Sequence, residues 1–149
     1  MTLPARIACL TLSLGLALSV AGCGERPEAL SPIQKQLGSW VLVNYWAEWC
    51  KPCIREVPEL NSLDSEAGIT VLGVNYDGVT GEALSAQIAA LDITFAQLST
   101  DPAAELGINR PQVLPTTVVI DPNGRRVATL VGPQTAESLR EAMMAGSSG

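Results

Sequence analysis

The spacing of apolar residues changes along this chain in a way that marks out alternating strands and helices. Trp40–Tyr45 is a continuous β-favouring run, of the kind a parallel sheet buries on both faces. Cys50–Leu63 switches to helical spacing, with Ile54, Val57, Leu60 and Leu63 three apart, and Pro58 inside it is expected to kink the helix after its second turn. Ile69–Tyr76 predicts the next strand, Gly81–Leu91 a helix, and Thr94–Leu98 a strand or extended segment. Asp101-Pro102 has the cap and first-turn proline of a short helix. Thr116–Ile120 and Arg125–Val131 read as strands joined by the hairpin turn Asp121-Pro122-Asn123-Gly124. Thr135–Ala145 closes the series as an amphipathic helix with Leu139, Met143 and Met144 on its apolar side. This order implies an α/β fold, with a central mixed sheet flanked by helices on both faces.

The first residues read differently. Met1–Arg6 carries one positive charge, Ile7–Val20 is an almost uninterrupted apolar run, and small residues follow at Ala21-Gly22. These are the three parts of a secretory signal peptide, and the run is shorter than the roughly 20 residues that span a bilayer. Val20-Ala21-Gly22-Cys23 resembles a bacterial lipobox, which implies cleavage before Cys23 and lipid on its sulfur; ordinary signal cleavage nearby is the alternative. The expected organisation is a signal peptide over 1–22, a polar tether over 23–34, one domain over 35–146 and a disordered tail over 147–149. Ser31-Pro32 also has the makings of a short helix start.

Export makes the cysteines readable. Cys9 falls in the removed segment and Cys23 at the lipid site, leaving Cys50 and Cys53 in the domain. One such pair is not a disulfide scaffold. The chain has no histidine, which removes Cys–His catalysis and His-ligated haem and leaves too few ligands for structural zinc, so no metal is expected. Fifteen acidic side chains against nine basic ones, with no basic stripe, argue against nucleic acid.

Chemistry concentrates in Trp46-Ala47-Glu48-Trp49-Cys50-Lys51-Pro52-Cys53. Cysteines at i and i+3 in the first turn of a helix lie within disulfide reach, and the helix N-terminus favours thiolate on the first of them. Lys51 adds positive charge, and Pro52 fits the first turn while stiffening the pair. Cys50, the more exposed end, is the candidate nucleophile; Cys53, one turn deeper, is the resolving thiol. An inert structural disulfide is the alternative. Four of the six aromatics, Trp40, Tyr45, Trp46 and Trp49, fall within ten residues. Trp49 is expected to be partly exposed as an apolar contact for substrates, and Trp46 either shields the disulfide or packs the core.

The order of elements, the motif WAEWCKPC after its strand, and Val113-Leu114-Pro115-Thr116-Thr117 before the last hairpin resemble the thioredoxin superfamily. The longer stretch VLVNYWAEWCKPCIREVPEL, residues 41–60, resembles its TlpA/ResA branch of exported, membrane-tethered proteins. The resemblance spans Trp40 to Ala145 and implies a thioredoxin fold and a thiol–disulfide oxidoreductase. It implies no cofactor beyond the redox-active Cys50–Cys53 pair. Asn44 stands where thioredoxin has a buried aspartate and cannot titrate, so the resemblance points to Glu56 as the buried acid exchanging a proton with Cys53; an exposed helix glutamate is the alternative. It further implies a cis Pro115, with the Leu114 backbone pairing to an extended substrate; a trans proline that opens the strand is the alternative.

The expected role is a disulfide reductase of exported proteins, as in cytochrome c maturation or disulfide repair. The expected protein is a monomer outside the cytoplasm, held to a membrane by lipid on Cys23 and fed electrons by a membrane donor of DsbD type. A disulfide oxidant or isomerase, a thiol peroxidase on the same fold, and a non-catalytic copper-chaperone or scaffold module are the alternatives. The last two lack, respectively, a Pro-Thr/Ser-x-x-Cys context and the wider cysteine spacing with histidine.

Overall fold

A computed structural model describes residues 31–147; the expected signal peptide, Cys23, most of the expected tether and the last two residues of the expected tail lie outside the described residues. After a 3-10 turn at Gln34–Gln36 come β1 (Trp40–Trp46), α1 (Lys51–Asp64), β2 (Ile69–Asn75), α2 (Gly81–Ala90), β3 (Ala96–Gln97), β4 (Thr116–Ile120), β5 (Arg126–Val131) and α3 (Ala136–Ser147). The five strands form one sheet in the order β3-β2-β1-β4-β5. β1 runs parallel to β2 and antiparallel to β4, so the sheet is mixed as expected. β1 is its centre because its apolar run supplies both faces. Leu42 and Trp46 face a core shared with α1, α3 and the apolar side of α2, while Val41, Val43 and Tyr45 face a second core with Val118 and Ile120.

On the first face, α1 buries Cys53, Glu56, Val57, Leu60 and Leu63. Ile54, expected on that stripe, is exposed instead. At 3.6 residues per turn, a strict spacing of three drifts about 60° per step, so Ile54 ends roughly opposite Leu63. The same arithmetic explains Met144: Leu139 and Met143 are four apart and buried, whereas Met144 lies well round the helix in solvent. α1 continues through Pro58, whose ring and neighbouring Ile54 sit on the exposed side, where water can satisfy the freed Ile54 carbonyl.

On the second face the cover is irregular. The helix expected at Asp101-Pro102 is a run of turns: Asp101 Oδ1 accepts from the Ala103 N–H at 2.9 Å, the Leu106 N–H reaches the Pro102 carbonyl, and Gly107 at φ 61° ends the turn. Leu98, Leu106 and Ile108 from this segment, with Ile33, close the core there. Of the expected strand at Thr94–Leu98 only Ala96 and Gln97 pair, with Leu72 and Gly73. The hairpin forms as expected, the Gly124 N–H reaching the Asp121 carbonyl at 2.9 Å and Gly124 at φ 84°. Among the described residues no helix is long and apolar enough to cross a membrane.

The antiparallel register of β1 and β4 places Asn44 opposite Thr117 and Tyr45 opposite Thr116. The chain leaving β1 toward Cys50 and the chain entering β4 through Leu114-Pro115 therefore meet at one end of the sheet.

Candidate active site

Cys50 is the N-cap of α1, with Lys51 and Pro52 opening the helix. Its N–H reaches back to the Ala47 carbonyl at 3.1 Å, and the Ile54 N–H bonds its carbonyl at 3.1 Å. The Cys53 N–H points at the Cys50 sulfur at 3.3 Å. The two cysteines form a disulfide with their Cα atoms 5.3 Å apart. When the bond is reduced, a thiolate on Cys50 occupies the place of a capping oxygen, facing free helix N–H groups and the positive end of the helix. The expected difference in exposure is small: Cys50 is 4% exposed and Cys53 2%. Both belong to the cluster that holds Trp46 and Ala47, so the pair is recessed into the core. Lys51 is exposed beside it.

The two tryptophans divide. Trp46 is 2% exposed, packs in the same cluster as both cysteines, and donates its indole N–H to Gln97 Oε1 at 2.8 Å. Trp49 is 64% exposed and donates its indole N–H to Asp77 Oδ2 at 2.8 Å.

Glu56 is buried, at 2% exposure, on the face of α1 that carries Cys53. Its Oε1 accepts from the Asn44 side-chain amide at 2.6 Å and its Oε2 from the Gln134 N–H at 2.9 Å. Burial raises its pKa from 4.5 to about 7, outweighing the pull of the Gln134 and Asn44 hydrogen bonds toward the charged form. Asn44 also donates to Thr117 Oγ1 at 3.0 Å. The non-titrating residue on β1 thus holds the titrating one on α1. One turn on, Glu59 Oε2 accepts from the Ala136 N–H at 2.9 Å and caps the start of α3.

The Leu114–Pro115 peptide is cis. Pro115 is buried and Leu114 half-buried, one residue beyond the Tyr45–Thr116 pair. The Gly132 N–H bonds the Pro115 carbonyl at 2.8 Å, while the Leu114 N–H and carbonyl bond to no other described residue. The approach to this corner is held by Arg110, whose guanidinium stacks 3.9 Å over the Tyr76 ring and pairs with Asp101 at 2.6 Å. The Tyr76 hydroxyl donates to the Pro111 carbonyl at 3.0 Å, and the Tyr45 hydroxyl to Asp101 at 2.8 Å.

Most of the residues singled out in the sequence converge here: Cys50, Cys53, Trp46 and Glu56 about α1, and Leu114-Pro115 at the same sheet end. The partners of Glu56, the Arg110 clamp and Gln97 were not foreseen. Asn44 was the one available signal, since an amide in a central strand needs a partner. Among the described residues no group of three Cys, His, Asp or Glu is placed to hold a metal.

Residues 27–127 match the model of the AhpC/TSA family. The thiol:disulfide interchange protein HelX of Rhodobacter capsulatus is 34% identical over 101 residues, covering 67% of this chain and 56% of HelX. The thiol-disulfide oxidoreductase ResA of Bacillus cereus is 31% identical over 105 residues, covering 68% of this chain and 60% of ResA. The chain therefore spans less than two thirds of either relative. A solved thiol:disulfide interchange protein of DsbE type from Chlorobium tepidum superposes with a TM-score of 0.59 at 28% identity, covering 75% of this chain and 82% of that one. With its thioredoxin-like fold and its closed Cys50–Cys53 pair at a helix start, the chain belongs to the AhpC/TSA family and is a TlpA/ResA-like protein within it.

Proposed function

We propose that this protein is a thiol–disulfide oxidoreductase of exported proteins, working as a disulfide reductase. The observation that carries the reading is the Cys50–Cys53 disulfide at the N-cap of α1, at the sheet end where the Leu114 main chain bonds to no other described residue. In the reduced protein the Cys50 thiolate attacks one sulfur of a substrate disulfide. A mixed disulfide forms and the other substrate sulfur leaves as thiolate, taking up a proton. Glu56, as carboxylate, accepts the Cys53 proton. The Cys53 thiolate attacks the Cys50 sulfur, re-forms the internal disulfide, and releases the second substrate thiolate, to which that proton passes. Two electrons move to the substrate and one disulfide replaces another.

Extended substrate adds to the Leu114 main chain as a strand, which gives affinity without sequence choice. Trp49, exposed beside the pair, supplies apolar contact. The spent disulfide is reopened by a membrane donor of DsbD type, and lipid on Cys23 keeps the domain, a monomer, near that donor outside the cytoplasm. The Lys51-Pro52 interior is nearer to the Gly-Pro of reductases than to the Pro-His of strong oxidants, which favours the reducing direction.

Two measurements test this. Cys53→Ser is expected to accumulate mixed disulfides on Cys50 with exported proteins, and its failure to capture any is the adverse result. Equilibration with glutathione is expected to give a potential below about −230 mV, whereas one above about −150 mV makes the protein an oxidant.

A further inference from the structure

We propose that Gln97 is a positioning residue for the redox pair, acting through Trp46, and that Gly73 is a glycine because the Gln97 amide occupies the space its side chain would fill. The inference rests on reading Cys50–Cys53 as an exchange centre and adds a residue to it.

β3 is only two residues long, Ala96 and Gln97, and lies at the sheet edge, yet it is held firmly to β2: it pairs with Leu72 and Gly73, and the Leu98 N–H bonds the Gly73 carbonyl at 2.8 Å. The Gln97 side chain is thereby anchored at its base. It lies across the face of β2 at Gly73, where an added Cβ would come within 2.3 Å of Oε1, 2.4 Å of Nε2 and 2.6 Å of Cδ. A glycine in the interior of a strand otherwise weakens it, and a close approach is one of the few reasons for it. Gly73 is partnered by Asn44 in β1, two residues before Trp46, so the amide reaches along the α1 face toward the indole.

Both ends of that amide are engaged. Nε2 donates to the Phe95 carbonyl at 3.1 Å, and Oε1 accepts the Trp46 indole N–H at 2.8 Å. The indole N–H can only donate, so the bond to Phe95 fixes the amide in the one orientation that offers it an oxygen. Trp46 is buried in the cluster that contains Cys50 and Cys53, and its N–H needs a partner there. Gln97 thus sets the rotation of the ring that packs with the disulfide.

The experiment measures insulin reduction and the equilibrium constant with glutathione for wild type, Gln97→Leu, Trp46→Phe, the double variant and Gly73→Ala, with near-UV circular dichroism as a check on folding. Gln97→Leu is expected to slow reduction about tenfold and to move the equilibrium constant at least threefold. In the Trp46→Phe background, which has no indole N–H, the same change is expected to do nothing more, because the two act as one unit. Gly73→Ala, which pushes the amide aside, is expected to resemble Gln97→Leu. Rates within twofold of wild type for both folded variants overturn the proposal, as does a double variant whose losses multiply. A wild type that exchanges no disulfide overturns the underlying functional reading instead, so the two failures are told apart.

Discussion

Replacing Glu56 by glutamine separates the titration of this buried acid from its place in the packing. Its two oxygens accept from Asn44 and from the Gln134 N–H. In Glu56→Gln the amide oxygen keeps the Gln134 bond. A flip of the Asn44 amide then turns its oxygen toward the new NH2 group, and the Thr117 hydroxyl rotates to donate where it had accepted. The protonated Glu56 of wild type makes the same demand on Asn44 and Thr117, so the variant is expected to be close to wild type in stability at acid pH. The two diverge as pH rises. Glu56 has its pKa raised from 4.5 to about 7, so the folded state holds the proton more tightly than the unfolded chain. The stability that Glu56 contributes is therefore full below about pH 4.5, falls through the window from 4.5 to about 7, and is gone above it.

At about 1.4 kcal/mol per pKa unit the loss is about 3 kcal/mol. With a urea slope near 1.5 kcal/mol/M, that is about 2 M in midpoint. Asp101 and Asp121 shift the opposite way. Burial pushes Asp101 up, but hydrogen bonds from the Ala103 N–H, Tyr45 and Arg110 hold it below 3.8; Asp121 is held down chiefly by the Arg125 N–H. Their contributions are present above 3.8 and lost only at more acid pH. The assay is urea unfolding of the oxidised protein, in which neither Cys50 nor Cys53 titrates, at intervals from pH 4.5 to 8. Wild type is expected to lose midpoint across the series while Glu56→Gln stays level. Parallel curves would refute the reasoning, because a carboxylate ionised throughout has nothing to lose.

Trp49→Ala is expected to cost no more than about 1 kcal/mol of stability, since the indole is exposed and makes one hydrogen bond, to Asp77. Steady-state kinetics with a protein disulfide should nevertheless show KM rising several-fold with kcat little changed. Lys51→Gln removes a charge from the first turn of α1, an effect of about 0.3–1 kcal/mol on the Cys50 thiolate. Glutathione equilibration should accordingly show a potential more reducing by roughly 5–20 mV. Gly124→Ala places a Cβ at φ 84°, 2.9 Å from Leu37 Cδ2, and should lower stability by about 1–2 kcal/mol in denaturant titration.

What the sequence carried by itself was local chemistry. The apolar run of β1, the switch to helical spacing after Cys50 and the Asp121–Gly124 turn are each decided within a few residues, so each is legible in the chain. The same holds for the cysteine pair, whose spacing within one helical turn is enough to close the disulfide. Where a pattern was read at the wrong pitch, as at Ile54 and Met144, the drift of a 3.6-residue helix put the side chain in solvent. The helix expected at Asp101 failed because Gly107 ends it after one turn and the segment is needed to cover the second core.

Tertiary structure decided what depends on distant partners. Glu56 can hold a proton near neutral pH only because the assembled core buries it, against the pull of hydrogen bonds from Asn44 and Gln134, which are 12 and 78 residues away. Leu114-Pro115 comes to the redox end of the sheet through the antiparallel register of β1 and β4. Gln97 carries no local signal at all; its reach to Trp46 exists because β3 pairs with β2 over a glycine. Short-range preferences specify elements and a reactive pair, whereas the field and the contacts that tune that pair arise only when the sheet brings remote segments together.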